Sequence, residues 1–224
     1  MSTSTGHALS VASIQLERGN LEYATQIVSK ILAIEPDNVD ALHIMSMVCY
    51  LRKDIERALD FNRRACRVLP DDVKLLLTLG NFLKAKQDFP ACRQAYERAL
   101  SLDRSCFPAQ FNLALVPSLM KESDAAVKAF KRARLMKSDF APVDQNLGLE
   151  LLSQKKYPEA ISSLKKALAI EPGLLEAIEG LGNAYFELGD YDKAEKQYKL
   201  AVEKGSQSKQ VLARLEEGPC RAGS

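Results

Sequence analysis

The chain has 224 residues, of which 46% are hydrophobic and 27% are charged, a composition typical of a soluble protein. The 31 lysines and arginines nearly balance the 29 aspartates and glutamates, and the net charge of +2 predicts no specific binding to nucleic acid. No apolar run is long enough for a transmembrane segment, and the start MSTSTGHALS lacks the basic and apolar parts of a secretory signal. We therefore expect a cytoplasmic protein, with peripheral association with an organelle or assembly left open.

Small residues recur along the chain with a fixed period of thirty-four. In the final copy they are Gly182, Ala194 and Ala201, and a similar set stands at each earlier step. Six copies follow one another without a gap, at residues 5–38, 39–72, 73–106, 107–140, 141–174 and 175–208. A period of this length predicts a helical solenoid.

Each repeat is expected to hold helix A at positions 1 to 14, a turn at 15 to 17, and helix B to about position 31. The turn pairs are Gly19-Asn20, Lys53-Asp54, Gln87-Asp88, Lys121-Glu122, Lys155-Lys156 and Gly189-Asp190. Eight of the nine prolines fall in first turns, after helix B or in the tail, which fixes the register. Pro117 is the exception, and we expect it to bend helix A of the fourth repeat.

The two ends of the repeat array differ. Residues 207–217 predict a capping helix whose apolar face is Val211, Leu212 and Leu215, and residues 218–224 predict a flexible tail. Residues 1–217 are thus expected to form a single array. The first helix has no cap before it, and its apolar residues are candidates for self-association: Leu9, Val11, Ile14 and Leu16.

The repeat resembles the tetratricopeptide repeat (TPR) family over nearly the whole chain. The resemblance implies an all-α fold, a TPR-type α-solenoid in which antiparallel helix pairs form a right-handed superhelix. It also implies that helix A of each repeat lines a concave groove, which is the usual site for a protein or peptide partner.

The groove candidates come from helix A of the second to fifth repeats. They are His43, Met47, Tyr50, Leu51, Leu77, Asn81, Lys84, Phe111, Asn112, Leu115, Leu119, Gln145, Asn146, Leu149 and Leu152. Most are apolar, and an apolar stripe on an open face favours binding of an amphipathic helix or an extended segment. The alternative is that some of these side chains only pack against neighbouring repeats.

Two binding patterns of the family can be compared with this sequence. Asn81 and Asn112 match the two asparagines of the carboxylate clamp, but Leu77, Pro142 and Asn146 stand where the clamp requires cations. The clamp is therefore expected to be absent. An asparagine ladder at position 6 keeps only Asn112 and Asn146, and this pair with Asn81 gives the best polar candidates.

The sequence predicts no catalytic, cofactor or metal site. His7 and His43 lie in different repeats and make no ligand spacing with cysteine or acidic residues. The five cysteines form no CxxC motif, which favours a reducing compartment. We therefore expect a protein that is not an enzyme.

Three functions are compatible with these patterns. The first is an adaptor that binds a partner segment in the groove. Repeats two to four, with 18 basic and 12 acidic residues, offer either a second binding surface or a merely solvated face. The second is a homo-oligomeric scaffold, similar to TPR proteins of bacterial magnetosomes or pili. The third is an accessory domain of a glycosyltransferase or sulfotransferase system, because Ile31–Met45 resembles repeats that precede such enzymes.

Overall fold

The computed structural model describes residues 3–217, which contain thirteen α-helices and no strand. The predicted tail at 218–224 lies outside these residues, as does Cys220. The helices are α1 (Thr3–Glu17), α2 (Leu21–Ile34), α3 (Val39–Leu51), α4 (Ile55–Val68), α5 (Val73–Ala85), α6 (Phe89–Leu102), α7 (Phe107–Leu119), α8 (Ser123–Met136), α9 (Ala141–Ser153), α10 (Tyr157–Ile170), α11 (Leu175–Glu187), α12 (Tyr191–Glu203) and α13 (Lys209–Glu217). The fold is an all-α TPR solenoid, in which each of the six predicted repeats holds one helix pair.

The turn between the two helices of a pair has the same hydrogen bonds in every repeat. In the second repeat the Lys53 N–H donates to the Tyr50 carbonyl at 2.9 Å, and the Asp54 N–H donates to the Cys49 carbonyl at 2.9 Å. This is a Schellman motif, which requires a left-handed residue just after the helix. The residues with positive φ in these six turns are accordingly Gly19, Lys53, Gln87, Lys121, Lys155 and Gly189. The motif ends helix A at position 13, one residue earlier than predicted.

The residue after the left-handed position caps helix B. The side chains of Asp54, Asp88 and Asp190 accept hydrogen bonds from backbone N–H groups of the first turn. Such caps satisfy donors that have no partner inside the helix. Glu122 and Lys156 hold the same position without a side-chain cap bond.

Small residues at repeat position 8 allow helix A and helix B to pack closely, as predicted. A Cβ atom added to Gly80 would stand 2.3 Å from Cε1 of Tyr96, and one added to Gly148 would stand 2.6 Å from Cγ of Leu164. No real side chain tolerates such a contact, so the bulky residue at position 24 occupies space that glycine leaves empty.

The described residues form two compact units, one up to Val116 and one from Pro117. The first unit is built around a continuous apolar core that includes Val28, Val48, Leu59 and Phe82. Helix α7 passes through Pro117 and ends at Leu119, so the proline does not terminate it. The predicted bend at Pro117 stays a prediction.

The second unit ends with the helix that was predicted to cap the array. Helix α13 begins at Lys209, two residues later than expected, and Val211 is buried in the core of this unit with Leu215 packed against it. Leu212 is 40% exposed, so its assignment to the buried apolar face was wrong. Ser206, just before α13, donates a hydrogen bond to the Glu179 carboxylate.

Candidate protein-binding surface

The predicted groove residues fall on the first helices of the pairs and are all at least partly accessible. Leu51 is 46% exposed and Leu119 is 49% exposed, whereas the other thirteen are half-buried. We call the members that precede Pro117, on α3, α5 and the first part of α7, the first-unit surface: His43, Met47, Tyr50, Leu51, Leu77, Asn81, Lys84, Phe111, Asn112 and Leu115. The remaining five form the second-unit surface: Leu119, Gln145, Asn146, Leu149 and Leu152.

Aromatic and aliphatic side chains give the first-unit surface its apolar character. The Tyr50 ring stacks on the buried ring of Phe82, with centroids 4.9 Å apart. Met47, Tyr50 and Leu77 pack on the core of the unit while remaining half-exposed. These side chains therefore both stabilise the unit and present apolar area to solvent. The two interpretations of the sequence, partner binding and packing between repeats, are thus compatible.

A polar group lies within this apolar surface. The Lys84 ammonium donates to the side-chain oxygen of Asn112 at 3.0 Å, which links α5 to α7. The Tyr96 hydroxyl, from α6, donates to the side-chain oxygen of Asn81 at 2.7 Å. Burial lowers the pKa of Lys84 and raises the pKa of Tyr96 well above its usual range.

His43 lies at one edge of the first-unit surface. Burial lowers its pKa, and Lys74 lowers it further. Its Nδ1 atom is inaccessible to solvent and has no hydrogen-bond partner in the described structure. The ring borders an open cleft of about 540 Å³ whose lining includes Asp40, Asp72 and Lys74.

The amide side chains of the second-unit surface form hydrogen bonds within that unit. Asn146 donates through Nδ2 to the Pro142 carbonyl at 2.7 Å, one turn earlier in α9. Gln145 donates to the Glu176 carboxylate at 2.7 Å. Asn146 therefore has its side-chain donor engaged by its own helix, unlike Asn81 and Asn112, whose bonds use the oxygen atom.

The four self-association candidates of α1 differ in their exposure to solvent. Leu9 is buried at 7% exposure and Leu16 packs against the same core, so these two residues stabilise the first repeat. Val11 is half-buried, and Ile14 is 42% exposed. The sequence did not single out Ile34, which is 82% exposed beside an open hollow of about 500 Å³ lined also by Ala8, Ile27 and Ile31.

Residues 3–217 contain four cysteines, none of them in a disulfide. Cys49, Cys66, Cys92 and Cys106 are free, and burial raises the pKa of the first three, which keeps them as thiols. Within this range no three His, Cys, Asp or Glu residues are placed to hold a metal ion. No helix there combines the length and apolarity required to cross a bilayer.

Comparisons with known proteins agree on the repeat. Tetratricopeptide repeat models match residues 73–106 and 151–215. The structure is similar to that of MamA, at 26% identity and a TM-score of 0.66, over 71% of this chain and 94% of that one. No curated protein sequence matches the chain.

Two further solved structures are similar in fold. PilF of Pseudomonas aeruginosa has 19% identity and a TM-score of 0.81, with 95% of each chain covered. PilW, described as a type IV pilus biogenesis factor, has 16% identity and a TM-score of 0.83, over 96% of this chain and 100% of that one. Together with the helix pairs, the Schellman turns and the position-8 packing, these matches show that the chain has the fold of a tetratricopeptide repeat solenoid.

Proposed function

We propose that this chain is a non-catalytic interaction scaffold that binds a segment of a partner protein on the first-unit surface. The main observation that supports this proposal is that the surface is accessible to solvent. Its large apolar side chains on α3, α5 and α7 stay half-exposed, although a fully buried core lies directly behind them. An apolar patch that a folded unit leaves open is typical of a protein-binding site.

The chemistry of the surface favours a segment with both apolar and polar anchors. Met47, Leu77 and Leu115 offer apolar contacts, and Asn81 and Asn112 carry amide groups that can bond a peptide backbone. An amphipathic helix or an extended segment meets these requirements. The two segments that match tetratricopeptide repeat models and the similarity to MamA support protein interaction as the general role.

The test is selection of binding peptides followed by affinity measurement. Peptides of about twelve residues are selected from a random library against the immobilised full chain, a length sufficient for an extended or helical anchor. Binding is then measured for wild type and for the Tyr50→Ala, Phe111→Ala double variant. Tyr23→Ala is the matched control, because Tyr23 is an aromatic residue 52% exposed on α2 and outside the surface.

We expect the double variant to weaken binding at least about tenfold, since buried aromatic anchors dominate such interfaces. The control should bind like wild type. Because Tyr50 also packs on Phe82, thermal unfolding of each variant must show a folded protein. Met47→Gln with Leu77→Gln provides a milder second variant. Binders unaffected by both variants would contradict the proposed location.

A second candidate function is self-assembly, and the open hollow on the first repeat favours it. Ile34 and its neighbours leave apolar area uncovered there, and a second copy of the chain could cover it. Light scattering over a concentration series tests this, with Ile34→Glu as the variant. Concentration-dependent oligomers that the variant abolishes would support assembly, whereas a monomer at all concentrations would contradict it.

A further inference from the structure

The open cleft beside His43 lies where the connections that follow α2 and α4 meet the first turns of α3 and α5. It has a volume of about 540 Å³, and its lining comes from residues 35–43 and 68–75. His43 belongs both to this lining and to the first-unit surface, so the cleft continues that surface beyond its edge. A partner segment that lies on the first-unit surface can therefore reach the cleft.

The apolar part of the cleft is open to solvent. Val68 and Leu69, at the end of α4, are 43% and 47% exposed, and Pro36 and Val39 line the same cleft. The Arg64 side chain donates from α4 to the Pro36 carbonyl at 2.9 Å, which ties the connection between α2 and α3 to α4. The cleft thus presents apolar area that the first unit leaves uncovered.

Carboxylates share the cleft with this apolar area. Asp37 and Asp40 are exposed, and within residues 3–217 neither side chain accepts a hydrogen bond or pairs with a lysine or arginine. Glu35 and Asp72 also line the cleft, and each accepts a hydrogen bond from within the chain. The lining holds only one lysine, Lys74, against these four carboxylates, which leaves a net charge of −3.

One kind of side chain satisfies both features of the cleft. Lysine and arginine have a long aliphatic stem that packs on apolar surface and a cationic head that pairs with carboxylates. A purely apolar side chain would leave the carboxylates unpaired, and an acidic one would be repelled by them. Arg64 adds one positive charge beside the cleft, but its guanidinium is engaged by Pro36 and the excess charge stays negative.

We propose that this cleft binds a lysine or arginine side chain of the partner segment, an inference that rests on the proposed function and specifies the chemistry of that segment. The stem lies on Val68 and Leu69, and the head pairs with Asp37 and Asp40. The partner segment therefore combines apolar residues for the first-unit surface with a basic residue at the end that lies beside His43.

The test neutralises the basic residues of the selected peptides one at a time. Each arginine is changed to citrulline and each lysine to norleucine. A free N-terminus is acetylated in a separate peptide, which distinguishes a side-chain cation from the terminal one. A further peptide keeps the charge of the basic residue but shortens its stem by two methylene groups. Dissociation constants are measured for every peptide.

The protein variants separate the cleft from the overall charge of the chain. Asp37→Asn with Asp40→Asn removes two charges from the cleft without breaking a hydrogen bond of residues 3–217. The matched control is Asp60→Asn with Asp139→Asn, because both residues are exposed and lie outside the cleft and the first-unit surface. Both double variants change the net charge equally, and thermal unfolding must show that both are folded.

We expect one neutralised peptide to bind wild type at least about threefold more weakly, as for ion pairs at a protein surface. The same replacement should have less than about a 1.5-fold effect on the cleft variant, and the control variant should behave like wild type. The shortened residue should weaken binding to wild type at least about twofold, because it loses the stem contact that a purely long-range attraction does not need.

Several results would overturn the cleft and leave the proposed function standing. They are first-unit-surface binders without a basic residue, binders that lose nothing on neutralisation or only on acetylation, and equal losses for wild type and the cleft variant. A control variant that behaves like the cleft variant would assign the effect to net charge and also overturn the cleft. Absence of binders, or binders insensitive to the Tyr50→Ala, Phe111→Ala variant, would overturn both proposals.

Discussion

The Tyr96 hydroxyl donates to the side-chain oxygen of Asn81, fifteen residues earlier and on the facing helix of the same repeat. The ring of Tyr96 also fills the space that Gly80 leaves open. One buried side chain thus packs the helix pair and orients an amide on the first-unit surface. The packing of the helix pair and the orientation of the Asn81 amide are therefore coupled at this position.

Removing the hydroxyl should affect both properties. Tyr96→Phe keeps the ring but leaves the Asn81 oxygen without its donor, and we expect a loss of about 1 kcal/mol in unfolding free energy. It should also weaken the binding of the selected peptides to the first-unit surface, because the Asn81 amide loses its fixed orientation. Tyr198→Phe is the control: a similar stability loss with unchanged peptide binding. Equal effects of both variants on binding would contradict the coupling.

The close helix contact at Gly148 predicts an overpacking defect. A methyl group there would stand 2.6 Å from Leu164 Cγ and 3.2 Å from the Leu164 backbone nitrogen, so Gly148→Ala should cost about 1–3 kcal/mol. Gly173→Ala, at a glycine with open space around it, should be nearly neutral. Urea denaturation of both variants measures the difference. A neutral Gly148→Ala would show that the pair adjusts more easily than the contact distances indicate.

The turn at Lys155-Lys156 is suited to stabilisation. Lys155 has a φ of 60°, and Lys156 occupies the cap position of α10 without a side-chain cap bond. Lys155→Gly should gain about 0.5–1 kcal/mol by relieving the left-handed conformation, and Lys156→Asp about 1 kcal/mol by capping α10 as Asp54 caps α4. Thermal unfolding tests both. Lys156→Ala separates loss of charge from gain of the cap, and it should not stabilise.

His43 should make stability depend on pH. Its pKa in the folded protein lies below its ordinary value because of burial and Lys74, and Asp40 and Asp72 oppose the shift. As pH falls, His43 is therefore protonated in the unfolded chain before it is protonated in the folded protein. The contribution of His43 to stability is complete above its unfolded pKa and is lost as the pH drops below that pKa. Urea midpoints at about pH 7.5 and about pH 5.5 bracket the ordinary histidine value of about 6.5.

The matched variants for this measurement are His43→Gln and His7→Gln. His43→Gln should reduce the loss of stability between the two pH values, and His7→Gln should not, because His7 is exposed on α1. An unchanged pH dependence in His43→Gln would assign the effect to other groups.

Much of the fold could be predicted from the sequence because its determinants are local and periodic. The turn glycines, the first-turn prolines and the small residues at position 8 each act within one helix pair. The end of helix A was predicted one residue late because the C-cap at position 14, such as Arg52, still donates to the carbonyl four residues earlier, as a helical residue does. Leu212 was misplaced because it stands about 100° around the helix from Val211, whereas Val211 and Leu215 lie one turn apart on the side that faces the core.

The candidate site was predictable only in outline. Helical spacing identified which residues share a face, and none of the fifteen is buried. The bond between Lys84 and Asn112 joins different repeats and depends on side-chain conformations, which periodicity does not determine. Burial of Leu9 likewise results from the contact of α1 with the following helices, so its apolar character alone could not distinguish a core residue from a docking residue.

Methyl NMR of the full chain with a selected peptide tests whether the first-unit surface is the binding site. We expect the chemical-shift changes to concentrate at Met47, Leu77 and Leu115 of the first-unit surface. Ile34 and Leu135, at 82% and 88% exposure outside that surface, should remain unchanged. Changes confined to Ile34, Leu135 or other exposed methyl groups would contradict the claim that the first-unit surface is the binding site.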